Sequence, residues 1–156
     1  MHFEGQQTIK ASQDAVWAFF MDPNKVASCA PGFKSMEILS PEHFKPTLAV
    51  GIGAVRATFT LDVHLVDMRE PTHAGMQAHG VAAGSAVDMH SAMDLTPQSD
   101  TLTEMRWTAD VNVRGTIAST GARLLESTAR KLTDRFFDCL RQKLETAPTV
   151  PASQTE

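Results

Sequence analysis

Long apolar runs are missing from this chain of 156 residues, and that excludes one class at once. No stretch approaches the ~20 apolar residues that a helix needs to cross a bilayer. An excess of basic residues is missing too. The formal charge is −4, with no basic stripe, so nucleic acid is not an expected partner. The opening residues, Met1-His2-Phe3-Glu4-Gly5, lack the basic-then-apolar order of a secretory signal, which makes the cytoplasm the expected compartment. Cysteine is scarce. Cys29 and Cys139 suit two buried thiols in a reducing compartment, with a disulfide between them as the less favoured alternative.

Patterns that carry chemistry are also absent. The six histidines show neither the i, i+4 helical spacing nor the Cys-x-x-Cys context of zinc sites. His79 and His90 fall on the outer face of neighbouring strands near Asp88 and Glu104, and they read as solvated histidines, so no metal is expected. No Ser-His-Asp order sits in a strand–turn–helix context. Gly51-Ile52-Gly53 and Gly80 to Gly84 precede no helix that could cradle phosphate. No catalytic residue is assigned.

What remains is ordinary globular material. Apolar residues make up 42% and charged residues 21%, enough for one domain with a real core over residues 1–146. The tail 147–156, with Pro148, Pro151 and Ser153, reads as disordered.

Phe3, Gly5, Gln7 and Ile9 alternate with polar residues and predict a first strand. Ser12 caps a short helix through Val16 to Phe20, and Asp22-Pro23 starts a second that runs to about Cys29. From Phe33 the period becomes two. Six strands follow, separated by Ser40-Pro41-Glu42, Gly51 to Gly53, Glu70-Pro71-Thr72, Gly84 and Pro97 to Asp100. Pro46 places its strand at an edge or a bulge. The best strand sets Val55, Ala57, Phe59, Leu61, Val63 and Leu65 against Arg56, Thr58, Thr60, Asp62 and His64, a half-buried antiparallel pattern.

Gly115 then leads into one amphipathic helix, expected over Thr116 to Leu144. Its apolar arc holds Ile117, Gly121, Leu124, Leu125, Thr128, Leu132, Phe136 and Cys139. The fold class is therefore α+β: a curved antiparallel sheet of about seven strands wrapped around a long C-terminal helix, with two short helices after strand 1.

The inward rows mix very large and very small side chains. Phe59, Leu61, Met76, Met89, Met93 and Trp107 are bulky, whereas Ala57, Ala74, Ala78, Gly80, Ala82 and Ala109 are not. Interiors pack at crystal density, so either the helix approaches closely or a ligand fills the gap. A ligand cavity would be lined by those bulky residues together with Leu124, Leu125 and Phe136 from the helix. Thr128 is the hydroxyl in the middle of the arc. It could bond a ligand carbonyl or the helix carbonyl four residues earlier. Cys29, Pro31 and Gly32 would shape the rim. Phe137 lies on the polar side of the wheel, where it is either covered by other elements or part of a partner-docking surface.

The order of elements resembles the helix-grip arrangement of the START and Bet v 1-like (SRPBCC) superfamily. Three segments resemble one family in it, the CoxG proteins, which are the G subunits of carbon monoxide dehydrogenase. They are Cys29-Ala30-Pro31-Gly32, Gly53-Ala54-Val55-Arg56-Ala57-Thr58-Phe59, and a C-terminal block. That block comprises Thr108-Ala109-Asp110-Val111, Gly115, Gly121, Arg123-Leu124, Ala129-Arg130-Lys131-Leu132 and Phe136-Phe137. The likeness covers about Met1 to Leu144.

The resemblance implies a non-catalytic accessory protein of a molybdenum-containing hydroxylase. Its role would be membrane recruitment or carriage of a lipophilic electron acceptor such as a quinone. Longer members carry a hydrophobic extension that is missing after Glu145. That argues against a direct anchor and leaves transient contact with the inner membrane face or with the enzyme open. A small helix-grip enzyme, cyclase- or hydrolase-like, and a chaperone-like adaptor remain open as alternatives.

Overall fold

The computed structural model describes residues 1–145 and places them in one sheet, three α-helices and a short 3-10 segment. The elements are β1 (His2–Ile9), α1 (Gln13–Phe20), α2 (Pro23–Cys29), β2 (Phe33–Ser40), β3 (His43–Ile52), β4 (Val55–Arg69), β5 (His73–Ala82), β6 (Ser85–Ser99), β7 (Leu102–Gly115), the 3-10 segment (Thr116–Thr120) and α3 (Ala122–Glu145). All strand pairs are antiparallel, in the order β1-β7-β6-β5-β4-β3-β2. The expected domain end at Thr146 and the tail 147–156 lie outside the described residues.

Both short helices start as their first residues dictate. Ser12 accepts the amide of Ala15 at 3.1 Å, and Asp22 accepts that of Asn24 at 3.0 Å ahead of Pro23. They close one end of the sheet. There Val16, Trp17 and Phe19 pack with Ile9, Leu95, Met105, Phe137 and Leu140. Thr103 sits fully buried in this end of the molecule because its hydroxyl donates to the Ala11 carbonyl at 2.8 Å.

Four expectations change. Pro46 does not mark an edge, because β2 pairs outside β3 with Met36 opposite Pro46. No bulge forms at Pro46 on the β4 side either: the pairing skips Lys45 and Pro46 between Phe44–Val63 and Thr47–Thr60 without a shift of register. The hairpin expected over Pro97 to Asp100 is tighter, since β6 runs on through Ser99. The long helix is not continuous: Gly121, at φ +99°, separates the 3-10 segment from α3.

The cysteines are not free thiols. Cys29 at the end of α2 and Cys139 on α3 form a disulfide. The packing of α2 on α3 sets their Cα atoms 5.4 Å apart, within bridging range. The inference from free thiols to a reducing compartment loses its footing.

A large part of α3 stands clear of the core. Phe137 and Leu140, both near its C-terminal end, are its buried residues. The half that carries Leu125, Thr128 and Leu132 spans the sheet without reaching that burial.

Candidate functional site: two apolar cavities beneath the long helix

The gap between α3 and the concave face holds two cavities. The larger, about 400 Å³, is walled by Leu61, Met76, Met89, Met93 and Trp107 from the sheet and by Phe136 from α3. The smaller, about 190 Å³, is walled by Phe59, Leu125 and Thr128, among others. Leu48, Leu61, Ala78, Met89 and Leu132 line both, so they form the partition. Small side chains make the space, as the sequence implies: Ala74 and Ala78 are buried in the sheet where a larger residue would fill the gap.

Nine of the ten expected lining residues therefore face a cavity. Leu124 does not. It is 36% exposed and lies over Gly53, because α3 is rotated so that Leu125, Thr128, Ala129 and Leu132 face inward. The same rotation buries Phe137, which is 6% exposed and has its ring 6.0 Å from that of Trp107. Phe137 is a wall of the larger cavity and not a docking surface.

Of the expected rim, Pro31 lines the larger cavity. Cys29 is buried in the disulfide instead. Gly32 holds the rim in place from behind. Its φ is +77°, its carbonyl accepts the Ala49 amide at 2.8 Å, and a Cβ there would sit 1.9 Å from the Ala49 oxygen. The Cys-Ala-Pro-Gly turn thereby pins α2 to β3.

Sequence reasoning missed the outer wall of the larger cavity, formed by Val26, Ala27 and Ala30 of the α2 region with Phe33 and Met36 of β2. The apolar spacing of Val26, Ala27 and Ala30 was the available signal. Phe33 is 38% exposed and also lines the cavity, so the cavity reaches the surface between α2 and β2.

No Asp, Glu, Lys, Arg or His lies among the described lining residues of either cavity. Polar groups are few. Thr133 donates to the Ala129 carbonyl at 2.8 Å, so Thr133 makes the back-bond and not Thr128. Trp107 Nε1 is buried without a partner among the described residues, and the nitrogen edge of its indole lies over Gly5. The site suits a neutral apolar guest with at most a hydroxyl or carbonyl to satisfy.

The charged chemistry is on the other, convex face. His2 is raised above its ordinary pKa by hydrogen bonds to Asp110 and Glu4. Asp88 is held below the usual carboxylate range by hydrogen bonds from His79 and Arg114. His79 bonds Asp88 at 2.6 Å, and Asp88 also accepts from Arg114, so His79, read from the sequence as solvated, sits in an exposed ion-pair group.

Comparison with known proteins agrees with this architecture. The model of the CoxG family, the carbon monoxide dehydrogenase G subunits, matches residues 5–145. No curated protein matches the chain. Among solved structures, a conserved protein from Geobacillus kaustophilus is 27% identical, with a TM-score of 0.88 over 94% of this chain and 97% of that one. A START superfamily protein from Mycobacterium smegmatis is 12% identical, with a TM-score of 0.71 over 94% of this chain and 98% of that one. An aromatase/cyclase from a Streptomyces species is 18% identical, with a TM-score of 0.69 over 93% of each chain. The last two are similar in fold alone.

Proposed function

This chain belongs to the CoxG family of carbon monoxide dehydrogenase G subunits, and we propose that it carries a neutral lipophilic electron acceptor of the quinone type for a molybdenum-containing hydroxylase. The observation that supports this reading best is the larger cavity: about 400 Å³, apolar, open between α2 and β2, and free of charged side chains among its described walls. That volume lies within the range of small-molecule sites. Burial of a prenylated ring there gains roughly 25 cal/mol for each Å² of apolar surface removed from water. A carbonyl guest that extends into the smaller cavity would meet the Thr128 hydroxyl.

In this reading the protein loads at a membrane surface. Phe33, Ile38 and Leu39 are exposed large apolar residues on edge strand β2, with Phe33 at the mouth and the other two farther along the strand. They would enter the headgroup region while the guest passes between α2 and β2. No helix among the described residues is long and apolar enough to cross a membrane, so such contact would be peripheral.

The same cavity argues against the enzyme alternative. Cyclase or hydrolase chemistry needs a positioned acid or base, and no titratable side chain stands among the described lining residues. The test has two arms. Native mass spectrometry of protein purified from its own host should reveal a copurifying apolar molecule. Titration of the apoprotein with a short-chain quinone should quench Trp107, which lines the cavity, and saturate. An empty protein that also fails to bind the quinone would overturn the carrier reading.

A further inference from the structure

Five histidines of the convex face sit beside a carboxylate, but among the described residues one group differs from the rest. His2 bonds Asp110, His73 bonds Asp94 and His79 bonds Asp88, with a single imidazole hydrogen-bonded to each of these acids. At the β3–β4 pairing two imidazoles converge on the same acid. His43 Nε2 is 2.6 Å from Asp62 Oδ1, and His64 Nε2 is 3.6 Å from Asp62 Oδ2. We propose that His43, Asp62 and His64 form a binding site for a divalent transition metal ion of the zinc class, separate from the cavities.

Strand geometry builds this group. His43 and His64 are directly opposite each other in the antiparallel register, and Asp62 is two residues from His64, so all three project from one face. That face is the convex one, because the alternating neighbours Phe44 and Val63 are 8% and 3% exposed in the core. The two rings stack with centroids 3.9 Å apart and planes at 18°. One ligating atom from each residue lies within 4.8 Å of the others.

The donor set selects the metal. Two imidazole nitrogens and one carboxylate oxygen are borderline ligands, which favour zinc, copper, nickel or cobalt over magnesium and calcium. Tetrahedral zinc with bonds of about 2.0–2.1 Å sets its donors roughly 3.3 Å apart. The observed 2.6 and 3.6 Å straddle that spacing, and an ion would bind once the stacked imidazole planes tilt toward it and the His43–Asp62 hydrogen bond opens. The three side chains are 30%, 45% and 47% exposed, which leaves outward positions for water or another ligand.

Nearby charge is limited. Lys45 is the cation that acts on Asp62 from β3. His79, the register partner of Asp62 on β5, is held by Asp88. A bound ion would tie β3 to β4 through side chains, on the hairpin whose inner face carries Phe59 and Leu61.

The experiment uses the untagged full chain, stripped with a chelator and titrated with Zn²⁺ by calorimetry and with Co²⁺ by visible absorption. One equivalent should bind with micromolar affinity. His43→Ala and His64→Ala should each weaken binding by about tenfold or more, on the scale that losses around metal ligands show. His79→Ala should leave it unchanged. Thermal unfolding of each metal-free variant, followed by circular dichroism, reports whether the fold is intact. Zn²⁺ affinity that is absent in the parent chain, or equal in the parent, His43→Ala and His64→Ala, overturns the site.

Discussion

Cys29 and Cys139 are 110 residues apart in the chain and covalently joined in the fold, so the end of α2 is fastened to the face of α3. Closing a loop of that length removes much of the freedom of the unfolded chain, on the order of 4–5 kcal/mol by loop entropy. Cys139→Ala should therefore lower the unfolding free energy by about 2–5 kcal/mol. Urea denaturation with and without a reductant measures it. An unchanged midpoint under full reduction would contradict the link.

Leu132 is the α3 residue that lines both cavities, so a larger side chain there reaches into each of them. Leu132→Trp should abolish quinone binding at a cost of about 1–3 kcal/mol from overpacking, with unfolding still cooperative. Leu124→Trp, on the exposed side of α3, should bind as the parent does. Equal binding by both variants would remove the cavities from the proposal.

Gly5 faces Trp107 across β1 and β7, and a Cβ at Gly5 would come within 2.8 Å of the indole. Gly5→Val should push the ring out of place, cost about 1–3 kcal/mol, and shift the emission maximum. A Gly5→Val protein with parental emission and stability would show that the indole has room to spare.

The pH dependence has a definite sign at His2. Its pKa is raised above 6.5 in the folded chain by hydrogen bonds to Asp110 and Glu4. The pairing therefore stabilises the fold fully below the unfolded value and is lost as pH rises through the folded value. All three groups are exposed, so the effect is small and is screened by salt. NMR titration should place His2 above an unperturbed histidine, and Asp110→Asn should bring it back down. A His2 titration midpoint that Asp110→Asn leaves unmoved would remove Asp110 as its cause.

Much of the architecture was readable because period-two alternation from Phe33 to Arg114 has few competing interpretations. The cavity was readable for a related reason: alanines and glycines at inward positions leave volume that something must occupy. What escaped was whatever depends on distance in space. A helical wheel ranks Leu124 with Leu125 and sets Phe137 apart, yet Phe137 enters the core while Leu124 faces out. The rotation is set where Phe137 and Leu140 pack with Ile9 and Met105, far from either residue in sequence. The Asp62-x-His64 pair is visible in the strand, but its third member, His43, appears only once the β3–β4 register is known. The cysteines likewise needed α2 to be placed on α3.

A rod pinned at one end sweeps widest at the other. About 22 Å of helix separates Leu140, in the fixed end of α3, from Leu125. A swing of about 10° about the fixed end would carry Leu125 through about 4 Å, roughly the distance between two carbon atoms in contact. Gly121, at φ +99° between the 3-10 segment and α3, is the joint at the far end where such a swing would be absorbed before it reached β7. Guest exchange would then be timed by the loose half of one helix, while the sheet keeps its shape.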